Sequence, residues 1–183
     1  GENQPEAVLA HFDIGPADSR VTSTTWIGDT GASTHMGNDD SGMTNVKEII
    51  SEVKMGNGKT LRATKIGDKH LTVLQKDGRR FNVVLKDYKY VPGLWVNLFS
   101  IMKALDNGWD IGNEQTKLFL KRDDVTLAFD KKLTTHKGSI VAVDMVTRST
   151  DLASVATLAP DRPVEINVLH RILGHPGEDV VRR

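Results

Sequence analysis

Trp26-Ile27-Gly28-Asp29-Thr30-Gly31-Ala32-Ser33 is the stretch on which the reading of this chain turns. Two apolar residues run into an acid, a small hydroxyl residue and a glycine. The front half has the composition of a buried strand end, and Asp29 falls on the turn that leaves it. Gly31 has no Cβ, so a tight turn and close backbone approach are open to it. The Thr30 hydroxyl can bond nearby backbone and stiffen the loop. A stiff loop presenting one carboxylate at a strand end packs poorly but holds a reagent well. Read alone, the tripeptide more often marks an ordinary turn.

One carboxylate does not hydrolyse a peptide by itself, whereas two facing ones can. Held close, they cannot both ionise, so one keeps a proton and the other is a base. Such a pair titrates as a unit. The string Asp-Thr-Gly occurs once in the chain. The second carboxylate is therefore expected from a second copy, with a two-fold axis placing Asp29 beside its mate.

The stretch 26–36 (WIGDTGASTHM) resembles the protease motif of copia-type retrotransposon polyproteins. Further blocks match that family in order: Tyr90-Val91-Pro92-Gly93-Leu94, Val96-Asn97-Leu98-Phe99-Ser100, Leu169-His170-Arg171 and Leu173-Gly174-His175. The family more often has Ser after the Asp; Thr30 matches the retroviral form. The resemblance implies an all-β fold, a retropepsin-like acid-protease barrel with one or two short helices, active as a homodimer. It also implies an aspartic endopeptidase that processes the element's own Gag and Pol polyprotein without a cofactor, in the cytoplasm within a virus-like particle. Asp29 would be catalytic. Thr30, Gly31, Ala32 and Ser33 would hold substrate backbone, and Met55, Gly56, Asn57 and Gly58 would cover it as a flap. The alternative is an inactive or domesticated module that serves as a binding or assembly scaffold.

Composition bounds this reading. The chain has 183 residues with equal numbers of basic and acidic side chains, 24 of each. Zero formal charge argues against a nucleic-acid surface spread over the whole chain. No cysteine is present, which excludes disulfides and cysteine-ligated metal within the chain. No apolar run approaches the length of a membrane span.

Residues 1–20 mix Gly, Pro, Ser and Asp without a sustained period and read as linker. The protease domain is expected over 21–147. His35 to Asp40 reads as a polar turn region, with His35 packing beneath the candidate loop rather than reacting. Asn57-Gly58 and Asp77-Gly78 each sit between extended runs and predict hairpins with tight primed turns. Lys and Arg residues around the second hairpin read as a solvated edge. Asn97 is the expected N-cap of a short helix carrying Leu98, Ile101, Met102 and Leu105, ended by Asp106-Asn107-Gly108. In the resembling family this segment braces the active-site turn, which gives Asn97 a supporting role. Runs at 109–111, 117–120, 125–129 and 139–143 predict further strands, forming extra sheet or part of a dimer seam.

Residues 148–163 read as a second linker. In 164–183, His170 and His175 have a spacing that can begin a zinc site, but the other ligands are missing. The resemblance implies the truncated start of an integrase zinc-binding module, so no complete metal site is expected. A zinc-dependent nucleic-acid module is a third reading that rests on these two histidines alone. No membrane and no nucleic-acid partner is expected for this segment.

Overall fold

The computed structural model describes residues 14–115 and 117–149, together with the backbone of two short strands at Glu6–Ala7 and Val164–Glu165. In chain order the strands are β1 (Glu6–Ala7), β2 (Thr25–Asp29), β3 (Met36–Gly37), β4 (Met43–Met55), β5 (Thr60–Leu74), β6 (Arg80–Tyr90), β7 (Asn97–Ser100), β8 (Asp110–Glu114), β9 (Lys117–Arg122), β10 (Val125–Phe129), β11 (Lys131–Thr135), β12 (Gly138–Thr147) and β13 (Val164–Glu165). One helix, α1 (Ile101–Asp106), follows β7 directly.

Hydrogen bonding runs β5-β12-β2-β7-β3-β6 and returns from β6 to β5, so these strands close on themselves. The fold is all-β and barrel-like. Closure removes the free edges that an open sheet would leave. The segment β8-β9-β10 forms a separate three-stranded antiparallel sheet.

Period-2 alternation explains the interior. On β2, Trp26 faces one core cluster and Ile27 the other; on β7, Phe99 and Leu98 divide the same way. The first cluster joins Trp26, Leu71, Val83, Phe99 and Val143 and is capped by Ile101 of α1 and by Leu120, Leu127 and Phe129 from the small sheet. The second joins Ile27, Leu98 and Ala142 to Val53 and Ala63 of the β4–β5 hairpin and to Leu133 of β11. Burial on both faces is why β2 and β7 carry unbroken apolar pairs rather than apolar-polar alternation.

Both hairpin turns differ from the expected primed type. Gly58 N–H donates to Met55 O (2.9 Å) and Met55 N–H to Lys59 O (2.8 Å); Gly78 and Gln75 repeat the pattern with Gln75 O and Arg79 O. Gly58 and Gly78 have φ of +88° and +96°, while Asn57 and Asp77 stay at negative φ. The preceding Asx side chains instead accept the N–H of Lys59 (2.9 Å) and Arg79 (2.9 Å). One left-handed residue after an ordinary turn closes each hairpin, so only the glycine must reach positive φ.

The strand before the first turn starts earlier than its apolar residues suggested. β4 begins at Met43 and shifts register between Thr44 and Lys47 and again between Glu48 and Ser51. Those irregularities break the alternation from which a strand is read. Residues 36–37, expected to be part of a turn, form β3 between β6 and β7. Met36 is fully buried.

Candidate functional site

β2 and β7 lie parallel, with Trp26 opposite Asn97, Ile27 opposite Leu98 and Asp29 opposite Ser100. The parallel pairing carries the 29–35 loop out at the level of the β7–α1 junction. Asp29 Oδ1 accepts the Gly31 N–H at 2.7 Å, which folds the turn back onto its own carboxylate. Asp29 is 2 % exposed in the single chain, whereas Thr30, Gly31 and Ser33 face solvent and Ala32 is buried.

Ser100 ties the loop to the barrel. Its Oγ donates to Ala32 O at 2.6 Å and accepts the Lys103 N–H at 3.0 Å, so one hydroxyl both caps α1 and anchors the loop. Its own N–H donates to Nδ1 of His35 at 3.0 Å. Farther along, Thr34 Oγ1 donates to Asp87 O (2.8 Å) and Lys89 N–H to His35 O (2.9 Å).

His35 is fully buried against the Phe99 ring, with centroids 4.7 Å apart. Because Nδ1 accepts a backbone N–H, the ring is neutral and its proton resides on Nε2. Burial holds its pKa down at about 3, and the nearby Lys103 ammonium acts in the same direction. The histidine therefore braces the loop from beneath.

The helix cap differs from expectation. Ser100, not Asn97, caps α1, because residues 97–100, Leu98 included, extend as β7 and the helix starts only at Ile101, directly after Ser100. Asn97 Nδ2 donates to Ser23 O at 2.9 Å and Thr25 O at 3.3 Å, fastening the entry of β2. Met55, Gly56, Asn57 and Gly58 lie at the tip of the β4–β5 hairpin, with Gly56, Asn57 and Gly58 exposed. The structure thus joins Asp29, Thr30, Gly31, Ala32 and Ser33 in one braced loop. Asn97 stands on the neighbouring strand, and the expected flap residues belong to a separate hairpin.

A second string of the Asp-(Thr/Ser)-Gly type, Asp40-Ser41-Gly42, which the reading of Asp29 as the single such acid overlooked, lies in the segment read as a polar turn. Asp40 is exposed there and pairs with Lys65 at 2.8 Å. The buried strand before it, β3, is two residues long and ends at Gly37, whereas β2 runs for five residues and ends on Asp29 itself, so the two strings are separated by context rather than by composition.

Beside this turn is a cluster that the sequence reading missed. Lys69, expected on a solvated edge, is 1 % exposed. Its ammonium donates to Ser41 O (2.6 Å), Asp39 O (3.0 Å) and Asp39 Oδ2 (3.2 Å) and lies 5.3 Å from the Tyr88 ring centroid. Burial lowers its pKa, while Asp39 acts to raise it. Asp39 is held down to about 2: burial pushes it up, but bonds from Ser41 and the Lys69 charge outweigh that. The cluster forms one wall of a cleft of about 440 Å³ that Thr22, Trp26, Trp95 and Asn97 also line. The strand pattern does mark position 69 as inward-facing, but its charge argued the other way.

Among the described residues no group of three or more His, Asp or Glu side chains could hold a metal, and no helix is long and apolar enough to cross a membrane. His170 and His175 lie outside the described residues, as does most of the expected 148–163 linker.

No curated protein and no solved structure matches this chain. Residues 26–109, less than half of the chain, match the family described as Pol polyprotein, beta-barrel domain. The matched region begins within β2, contains the Asp29 loop, five of the strands that close the barrel and α1, and ends at Trp109. This match supports reading the chain as part of a retroelement Pol polyprotein.

Proposed function

We propose that the chain is an aspartic endopeptidase that acts as a homodimer on the Gag-Pol polyprotein from which it comes. The observation that carries the reading is Asp29 on a loop fixed at Gly31, Ala32, Thr34 and His35. Preorganisation of that kind suits a reacting group, because geometry fixed in advance need not be bought during reaction. Exposed Thr30, Gly31 and Ser33 are the loop residues available to meet a second copy and a substrate backbone.

In the dimer, two Asp29 carboxyls share one proton across the axis. The ionised one takes a proton from water as its oxygen attacks the scissile carbonyl carbon. The protonated one gives its proton to the carbonyl oxygen. Collapse of the tetrahedral species breaks the C–N bond, and the amine nitrogen leaves with a proton from the dyad. The 55–58 hairpin tip would close over the peptide and exclude water.

The near-complete burial of Asp29 in the single chain favours a second reading, a scaffold in which Asp29 only shapes its turn. Incubating the full chain with its Gag precursor at mildly acidic pH, beside Asp29→Asn, tests the choice. Cleavage lost in the variant and sedimentation as a dimer support the enzyme. Cleavage that survives the substitution removes Asp29 from the chemistry, and a strict monomer without cleavage leaves the scaffold.

A further inference from the structure

The cleft of about 440 Å³ lies at the entry of β2, whereas Asp29 ends that strand, so cleft and loop stand at opposite ends of it. Two indole rings line the cleft: Trp26 on β2, which is buried, and Trp95 before β7, which is half-buried. Val21 and Met145 add apolar surface. The polar wall opposite has already used its hydrogens. The Asn97 amide donates to Ser23 O (2.9 Å) and Thr25 O (3.3 Å), and what it has left is Oδ1, an acceptor. The Thr147 hydroxyl donates to Asp39 Oδ2 at 3.1 Å and keeps only lone pairs. Lys69 gives its three ammonium hydrogens to Ser41 O, Asp39 O and Asp39 Oδ2. The Asp39 carboxylate only accepts. A wall of lone pairs calls for a ligand that brings hydrogens.

Charge narrows the class. Asp39 and Lys69 are paired at 3.2 Å, but the pair is oriented: the Asp39 side chain is 48 % exposed and that of Lys69 is 1 % exposed. Its negative end is therefore the one a ligand reaches. An anion is repelled there, and a neutral donor gains nothing from the carboxylate charge. A cation gains from the carboxylate and from the negative faces of the indole rings. A guanidinium is the best matched cation, because it is planar, stacks on aromatic faces, is weakly hydrated and carries several N–H donors in one plane. Free arginine would bring its own α-carboxylate into the same acceptor-lined space, so an arginine within a polypeptide suits the cleft better.

We propose that this cleft is a docking site for an arginine side chain of a partner polypeptide, stacked on Trp95 with its N–H groups toward Asp39 and Asn97 Oδ1. The site does not depend on the peptidase reading.

The probe is N-acetylarginine amide, titrated into the full 183-residue chain at constant ionic strength made up with sodium chloride. N-acetylcitrulline amide, which keeps the length and the N–H donors but has no charge, is the comparison. Two of the three tryptophans line the cleft, so binding is read from the indole N–H signals in nitrogen-15 NMR, with Trp109 as the internal reference. The Trp26 and Trp95 signals should shift saturably, with Kd of about 1 mM, while Trp109 stays in place. The citrulline probe should bind about fivefold more weakly. Trp95→Leu should weaken the arginine probe by a similar factor of about five. Cleft signals unmoved up to about 50 mM arginine probe, or equal responses to the two probes, would overturn the proposal, as would unchanged binding in Trp95→Leu. The comparison of probes is made on the wild-type chain, so a poorly folding variant does not remove the test.

Discussion

Acidification from pH 7 to pH 5 should destabilise the barrel through one residue, His35. Its ring is fully buried, and its pKa in the fold is about 3 against an ordinary 6.5. The unfolded chain therefore takes up a proton first as pH falls. The stabilisation from keeping this ring neutral is complete above pH 6.5 and is lost progressively toward pH 3. Each pH unit in that window removes about 1.4 kcal/mol. The loss is about 2 kcal/mol at pH 5, and roughly 4–5 kcal/mol by pH 3. Set against a typical domain stability of about 5–15 kcal/mol, that is enough to limit the acid range of the protein. Carboxylates also titrate, so a variant is needed as reference. His35→Asn keeps an oxygen able to accept the Ser100 N–H but cannot be protonated. Urea unfolding of both proteins at pH 7, 6 and 5 gives the difference in slope. The variant should be less stable at pH 7, from lost packing on Phe99, and should close on wild type by about 2 kcal/mol at pH 5. Parallel pH dependences would refute the reasoning. Under the proposed activity the same residue opposes the dyad: mild acid favours a shared proton at Asp29 while it weakens the support beneath the loop.

Ser100→Ala removes the α1 cap and the bond to Ala32 O; a loss of about 1–2 kcal/mol is expected by urea unfolding, with proposed peptidase activity falling further than stability explains. At Gly37 an added Cβ would lie 2.7 Å from both Asn97 Oδ1 and Tyr88 Oη. Gly37→Ala should therefore cost about 1–3 kcal/mol, visible as a lowered thermal midpoint. Gly78→Ala meets no neighbour but must hold φ of +96°, so about 1 kcal/mol is expected with the fold retained by circular dichroism. Asp29→Asn preserves an oxygen for the Gly31 N–H; its unfolding midpoint should stay close to wild type while proposed cleavage is lost.

The hairpin about Asp77-Gly78, the strand leading into Asp29 and the helix after Ser100 were legible because each is a local matter. Glycine permits positive φ, an apolar alternation marks a strand, and a hydroxyl caps a helix whatever lies beyond. Misplacing the cap at Asn97 came from the same locality. Two good capping residues stand three apart, and only the pairing of β7 with β2 decides which one the helix can use.

By itself the sequence determined that an acid ends an apolar strand, that strands dominate and that no cysteine holds them. The tertiary structure decided which polar residues are inside. Lys69 goes in because the Ser41 and Asp39 carbonyls, at the entry of the neighbouring strand β4, accept from its ammonium, and His35 because Ser100, far along the chain, offers its N–H. Arg148 lies buried beside a histidine on another strand. Burial of a charge depends on partners distant in sequence, and a one-dimensional pattern of hydrophobicity carries no record of them.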